Sequence, residues 1–288
     1  MSYHYYEIFS GVRDKISSQF NLSDDATNTL YFNIIKNLAP NNDYTFQQIM
    51  LEYLTELQIK SLFFFHKDMV GHNGFNVKKQ GEVLIVTEVN DDNRLVVGDV
   101  IKKMSDDEIN ILESRYKKLL FHEDDNNQDW THIIAKQSHL TLLRGEEEYK
   151  FDVQHFNHFP ENTVKSYNGY QIVTIYNFDE TVTYPHDLPV ILDLRYARGI
   201  KSHQYEADII LISALTKGSP EFFASQSDAK KIGEHSFGAA NIFYTIEFDD
   251  FVFVYGTEEE FVVQPDIRLT NNAESDAIME EAKRIILS

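Results

Sequence analysis

A mixed α/β (α+β) fold in three parts is predicted: an N-terminal helical segment (1–67), a module of short β-strands (68–154) and an α/β core (155–288). Three observations carry this. Apolar residues recur every four positions at Ile8, Val12, Ile16 and Phe20, the stripe of an amphipathic helix. From Gly74 to Val153, apolar runs alternate with turn residues, as antiparallel strands do. Beyond Phe159-Pro160, strands and helices alternate, which points to parallel pairing covered on both faces.

In the first part, Ser23 precedes an acidic turn and a second helix spanning Leu30 to Leu38. Thr45 with Gln48 forms a capping-box pattern that opens a third helix, expected to run through Met50, Leu54 and Leu57 to Phe65. Phe63-Phe64-Phe65 is read as core. In the second part, strands are expected at 74–77, 82–89, 95–101, 140–145 and 149–153, with a helix around Ile109 to Leu120. The acidic loop Glu123 to Asp129 lacks the glycine and closing glutamate of a calcium loop and is read as solvated. In the third part, strands are expected at 170–176, 188–195, 209–212, 243–248 and 251–255, and Asp276 to Leu287 closes as a helix.

The bulk composition narrows the partners. A net charge of -20 over 288 residues opposes binding to nucleic acid and to anionic membranes. With no cysteine there is no disulfide and no thiolate metal site. His155 and His158, three apart on an extended stretch, face opposite ways and do not make a metal pair. No cofactor or metal is expected. No signal peptide or membrane-spanning run is visible, so a cytoplasmic location is expected.

The chemistry is sought at Asp208 to Ala224. Ile209 to Ile212 is an unalternating apolar run, as for a strand buried on both faces. Lys217-Gly218-Ser219-Pro220 breaks it, and Pro220 suits the first turn of a helix. Ser219 is expected to be the N-cap, with Glu221 complementing the helix dipole. A strand, a sharp turn and a helix N-terminus form a place where hydrolases mount a serine.

Two resemblances follow from these residues. Gly74-Phe75, Ile85-Val86, Val89, Leu95 and Gly98-Asp99-Val100-Ile101 resemble the PDZ modules inside carboxyl-terminal processing proteases. Ile191 to Arg195, Gly218 to Ala224, Ile232 to Gly238 and Gln264 to Ile267 resemble, in order, four motifs of the tail-specific (carboxyl-terminal processing) serine proteases. The resemblance implies a crotonase-like core carrying an inserted PDZ-like module. It also implies a serine nucleophile and a lysine base acting on polypeptide tails.

The residues depart from that chemistry at each position. The nucleophile position falls on Gly218, with Ser219 one residue late. The lysine position falls on Ala239, which cannot take a proton, and in the oxyanion turn Gly199 remains while its partner glycine is Ile200. The expectation is a protease-like protein that binds or acts on C-terminal tails with its Ser–Lys dyad lost. The alternative, suggested by resemblance to the tricorn-like branch, is an active peptidase using Ser219 as nucleophile, His72 as base and Glu259 as orienter. Tail binding is expected by strand addition at Gly74, Phe75 and Val77, with room for a carboxylate beside Gly74.

Overall fold

The computed structural model describes residues 5–22, 25–68, 71–121, 123, 127–256, 261–271 and 275–288. In chain order, helices α1 (Tyr5–Phe20), α2 (Asp25–Lys36) and α3 (Asp43–Glu56) lead to strand β1 (Leu62–His66). Strands β2 (Phe75–Gln80), β3 (Val83–Val89), β4 (Val100–Met104) and β5 (Asp107–Glu108) precede helices α4 (Ile109–Arg115) and α5 (Thr131–Ala135). The hairpin β6 (His139–Arg144) and β7 (Glu147–Asp152) is followed by β8 (Thr163–Tyr167), β9 (Tyr170–Thr174) and β10 (Val190–Asp193). Next come the two-residue strand β11 (Arg198–Gly199), β12 (Ile209–Ile212), two-residue β13 (Lys217–Gly218), helix α6 (Ser219–Gln226) and β14 (Lys230–Gly233). The hairpin β15 (Phe243–Phe248) and β16 (Phe251–Gly256), short β17 (Ile267–Arg268) and helix α7 (Ala277–Ile286) complete the order. The fold is mixed α/β, as the sequence predicts. No helix among the described residues is long and apolar enough to cross a membrane.

The chain divides into two compact units, Met1–Val70 with Ile242–Glu259, and Gly71–Asn241 with Glu260–Ser288. In the first, Ile8, Phe9, Val12 and Ile16 of α1 bury against Phe46 and Met50 of α3 and against Phe64 and Phe253. The third helix stops at Glu56 rather than reaching Phe65. Gln58 turns left-handed at φ 55°, and Leu62–His66 becomes β1, antiparallel to β16. Phe63 to Phe65 alternate in burial because Phe64 points into the core and its neighbours do not.

The second unit holds two larger sheets. One is antiparallel, ordered β2-β3-β4-β6-β7 with β5 on β4, and its core gathers Phe75, Val77, Ile101, Trp130, Leu140 and their neighbours. The other is ordered β17-β14-β12-β10-β9-β8, parallel except where β8 meets β9. Every residue of β10 and β12 is buried. Leu192, Ile210 and Ile212 face Phe223 and Ala224 of α6, while Ile191, Ile209 and Leu211 face Ile278 and Ala282 of α7. Two covered faces explain why those strands read as continuous apolar runs. Arg195, just past β10, is bonded to Asp193 at 2.9 and 2.7 Å and to Asp276, the N-cap of α7, at 2.7 Å. That triad fastens α7 to the C-terminal end of the sheet.

The two sheets meet through polar groups. Glu88 of β3 accepts from Tyr176 Oη at 2.8 Å, Lys78 of β2 pairs with Glu234, and Lys217 pairs with Asp129.

Candidate functional site

In parallel α/β sheets, functional groups gather where strands end at their carboxyl termini. Here β10 and β12 run out into turns that pair again as β11 and β13, placing Gly199 opposite Gly218 in parallel register. Gly218, at φ 80° and ψ −131°, is in a conformation that side chains disfavour, and it is the N-cap of α6. Ser219 is therefore the first helical residue and not the cap expected from sequence. Glu221, the third residue of the helix, reaches back with its carboxylate to accept the amide of the Gly218 cap at 2.9 Å.

Glu221 does more than cap. Its two oxygens also accept Gly238 N at 2.7 Å and Ala239 N at 3.0 Å. One fully buried carboxylate thus joins the turn at Gly218 to the loop at Gly238-Ala239. Burial raises its pKa to about 7, opposed by bonds from Ser236 and the three amides. Gly218 and Ala239, which the tail-specific motifs align with nucleophile and base, are fixed together on one oxygen of that carboxylate. Neither carries a reactive group. The Ser219 hydroxyl makes no hydrogen bond to any group among the described residues.

Lys217, next to the turn, is engaged by a carboxylate from another segment. Its ammonium is buried against Asp129, 4.2 Å from the centre of the Phe237 ring, and Arg198 lies 3.6 Å from the same carboxylate. Burial lowers the Lys217 pKa against the pull of Asp129. Burial alone would favour the neutral acid at Asp129, yet the charges of Lys217 and Arg198 hold it well below the usual carboxylate range.

The glycine turn that sequence pairs with oxyanion binding is already engaged. The amides of Ile200 and Lys201 both donate to Asp179 Oδ1 at 2.7 Å. A side chain at Gly199 would collide with that oxygen at 2.7 Å.

His72 lies in the segment before β2, bridged by two backbone hydrogen bonds to Phe156 and stacked on its ring. Its Nδ1 accepts Gly74 N at 3.0 Å, so the neutral imidazole carries its proton on Nε2. Nε2 sits 3.0 Å from Asp91 Oδ2, which is also 3.3 Å from His158 Nε2. The three ligand atoms lie within 4.8 Å of one another, a grouping that the spacing of His155 and His158 gave no hint of. A cation would need the Nε2 lone pair, and the Gly74 amide at Nδ1 keeps the proton there. Burial lowers the His72 pKa. The structure does not bring His72 and Ser219 into hydrogen-bond contact, and Glu259 lies outside the described residues.

At the expected tail-binding edge, β2 is the outermost strand of its sheet. Phe75 and Val77 turn inward and belong to the buried core, as does Leu112 of α4. The space beside Gly74 is filled, because a Cβ there would meet Phe156 Cε2 at 2.6 Å and Asp92 N at 2.7 Å. Among the described residues no strand pairs with the outer side of β2.

Glu88, between the sheets, accepts from Tyr176 Oη and Asn76 Nδ2, each at 2.8 Å, and burial pushes its pKa up to about 7. Its unfolded counterpart ionises near pH 4.5. Between those values the native state binds more protons, so stability falls as pH rises through the window. Glu88→Gln should shallow that fall, measured as Tm at pH 5 and pH 7.5. A variant with the wild-type slope would show that Glu88 is ionised throughout.

No family model and no curated protein matches the chain by sequence. Among solved structures, mature CPAF complexed with lactacystin is similar at TM-score 0.59 and 8% identity, covering 98% of this chain and 97% of that one. Mature CPAF alone gives TM-score 0.57 and 8% identity, over 98% of this chain and 95% of that one. The photosystem II D1 C-terminal processing protease aligns over 99% of this chain and 98% of that one, at 12% identity and TM-score 0.42. At these identities the likeness is one of fold: the chain shares the mixed α/β fold of mature CPAF.

Proposed function

We propose that this chain is a protease-like protein that has lost its Ser–Lys dyad and holds an extended polypeptide tail without cutting it. The observation that carries the reading is the Glu221 carboxylate. It ties Gly218 to Ala239, so the positions that would supply nucleophile and base are neighbours and both lack the group required. A tail would add as a strand to the outer edge of β2, with affinity drawn from main-chain hydrogen bonds. The buried Phe75 and Val77 support an interaction that reads backbone more than side chains. With -20 charges on the protein, basic or neutral tails associate faster than acidic ones, and salt slows them.

The alternative is an active peptidase with Ser219, His72 and Glu259. For His72 to act as base, its Nε2 would have to give up the proton that the Gly74 amide enforces. The protein should therefore remain unlabelled by a fluorophosphonate. Labelling lost in both Ser219→Ala and His72→Ala would establish the alternative. A pulldown with a mixed peptide library should retain extended peptides, and an empty pulldown at low salt would overturn the binding reading.

A further inference from the structure

The turn after β11 has the form of a receptor for a carboxylate, and its ligand is part of the chain. Two successive amides, of Ile200 and Lys201, converge on Asp179 Oδ1 at 2.7 Å each. Consecutive N–H groups aimed at one point form an anion-binding nest, and short bonds to an ionised oxygen are the strong kind. Gly199 makes the approach possible, since any Cβ there would lie 2.7 Å from Asp179 Oδ1 and 2.8 Å from Phe178 Cβ.

Asp179 is presented to the nest by a rigid support. Phe178 N donates to Arg198 O at 2.8 Å and Arg198 N to Tyr176 O at 2.9 Å, so the segment before Asp179 is strapped to β11 itself. Asn177 Oδ1 accepts the Asp179 amide at 3.1 Å, and Asn162 Nδ2 donates to Asn177 O at 2.8 Å. Asp179, Gly199 and Ile200 are each only partly buried. The nest lies beside Gly218, its register partner through Gly199.

We infer that Asp179 is an internal ligand that fills a carboxylate-binding nest at Gly199–Lys201 and closes it to outside carboxylates. The natural competitor by chemistry is the terminal carboxylate of a bound polypeptide, an identification that rests on the tail-binding reading above. Closure by Asp179 is separate from the missing nucleophile and base. Restoring those two groups would still leave the turn occupied.

The test is chemical rescue with sodium formate against sodium chloride at equal ionic strength. Asp179→Ala should lower Tm by about 5 °C in chloride and recover most of that in formate. Asp179→Asn keeps an acceptor oxygen for both amides, so it should respond to formate no more than wild type. If Asp179→Ala does not fold in chloride, its refolding yield in formate reads the same effect. An Asp179→Ala protein that gains no more from formate than wild type overturns the proposal. A formate response in Asp179→Asn equal to that of Asp179→Ala overturns it too. With the peptide library, Asp179→Ala should gain about tenfold in affinity for free C-termini and nothing for amidated ones. An equal gain for both removes the tail carboxylate as the competitor. If no peptide binds either protein, the tail-binding reading fails while the formate response still decides the nest.

Discussion

Replacing Glu221 by glutamine should destabilise the fold by about 3 kcal/mol, because it leaves buried N–H donors facing an amide NH2. The carboxylate accepts Gly218 N and Ala239 N on one oxygen and Gly238 N on the other. Glutamine has one oxygen to offer, so one side of this arrangement becomes donor against donor whichever way the amide turns. The change should appear as a lower urea midpoint at unchanged slope. Its pH dependence has a fixed sign. Burial holds the native carboxyl at about 7 while the unfolded one ionises near 4.5, so the native state carries the extra proton between those values. Wild-type stability from this group therefore falls as pH rises through that window, and the glutamine variant lacks the fall. The cost of Glu221→Gln should be larger at pH 5 than at pH 7.5. Equal costs at the two would mean that the carboxyl titrates as in solution.

The buried pair Lys217–Asp129 should give an effect of similar size. Asp129→Asn leaves the Lys217 ammonium enclosed, with Arg198 3.6 Å from a site that no longer carries negative charge. Breaking a buried pair from one side costs about 3–5 kcal/mol. Lys217→Met leaves Asp129 with Arg198 as its remaining cation, so its cost should be smaller. The double variant Asp129→Leu/Lys217→Met should recover most of the loss, since two desolvated charges are removed together. A double-mutant cycle in urea measures this. Strictly additive costs would show that the pair does not act as a unit.

The reading of the core from sequence rested on local patterns that the structure keeps. The unalternating run Ile209–Ile212 is a strand covered on both faces, and the segments around Leu192, Glu221 and Phe237 do converge. Local signals mislead where a distant partner decides. Phe63 to Phe65 extend a helical run when read alone, and only pairing with Phe251 to Phe253 makes them a strand. Ser219 looks like a cap because serine is a good one, but the cap falls one residue earlier on Gly218, whose amide Glu221 accepts from three residues on. Asp179 gave no signal at all. An aspartate in a polar loop is ordinary until the fold brings two amides to it. The same is true of Asp91, which meets two histidines far from it in sequence.

The pairing of β1 with β16 joins residues about 190 positions apart. During synthesis, α1 to α3 leave the ribosome well before β16, and their aromatic core has no sheet to close it until residue 256 has been made. At about 5–20 residues per second that interval is on the order of 10–40 s. Closing so long a loop adds an entropic barrier that nearby pairings do not face. The apolar face of the nascent N-terminal segment therefore waits uncovered for that interval. A ribosome that stalls anywhere before β16 strands that segment with its apolar face uncovered.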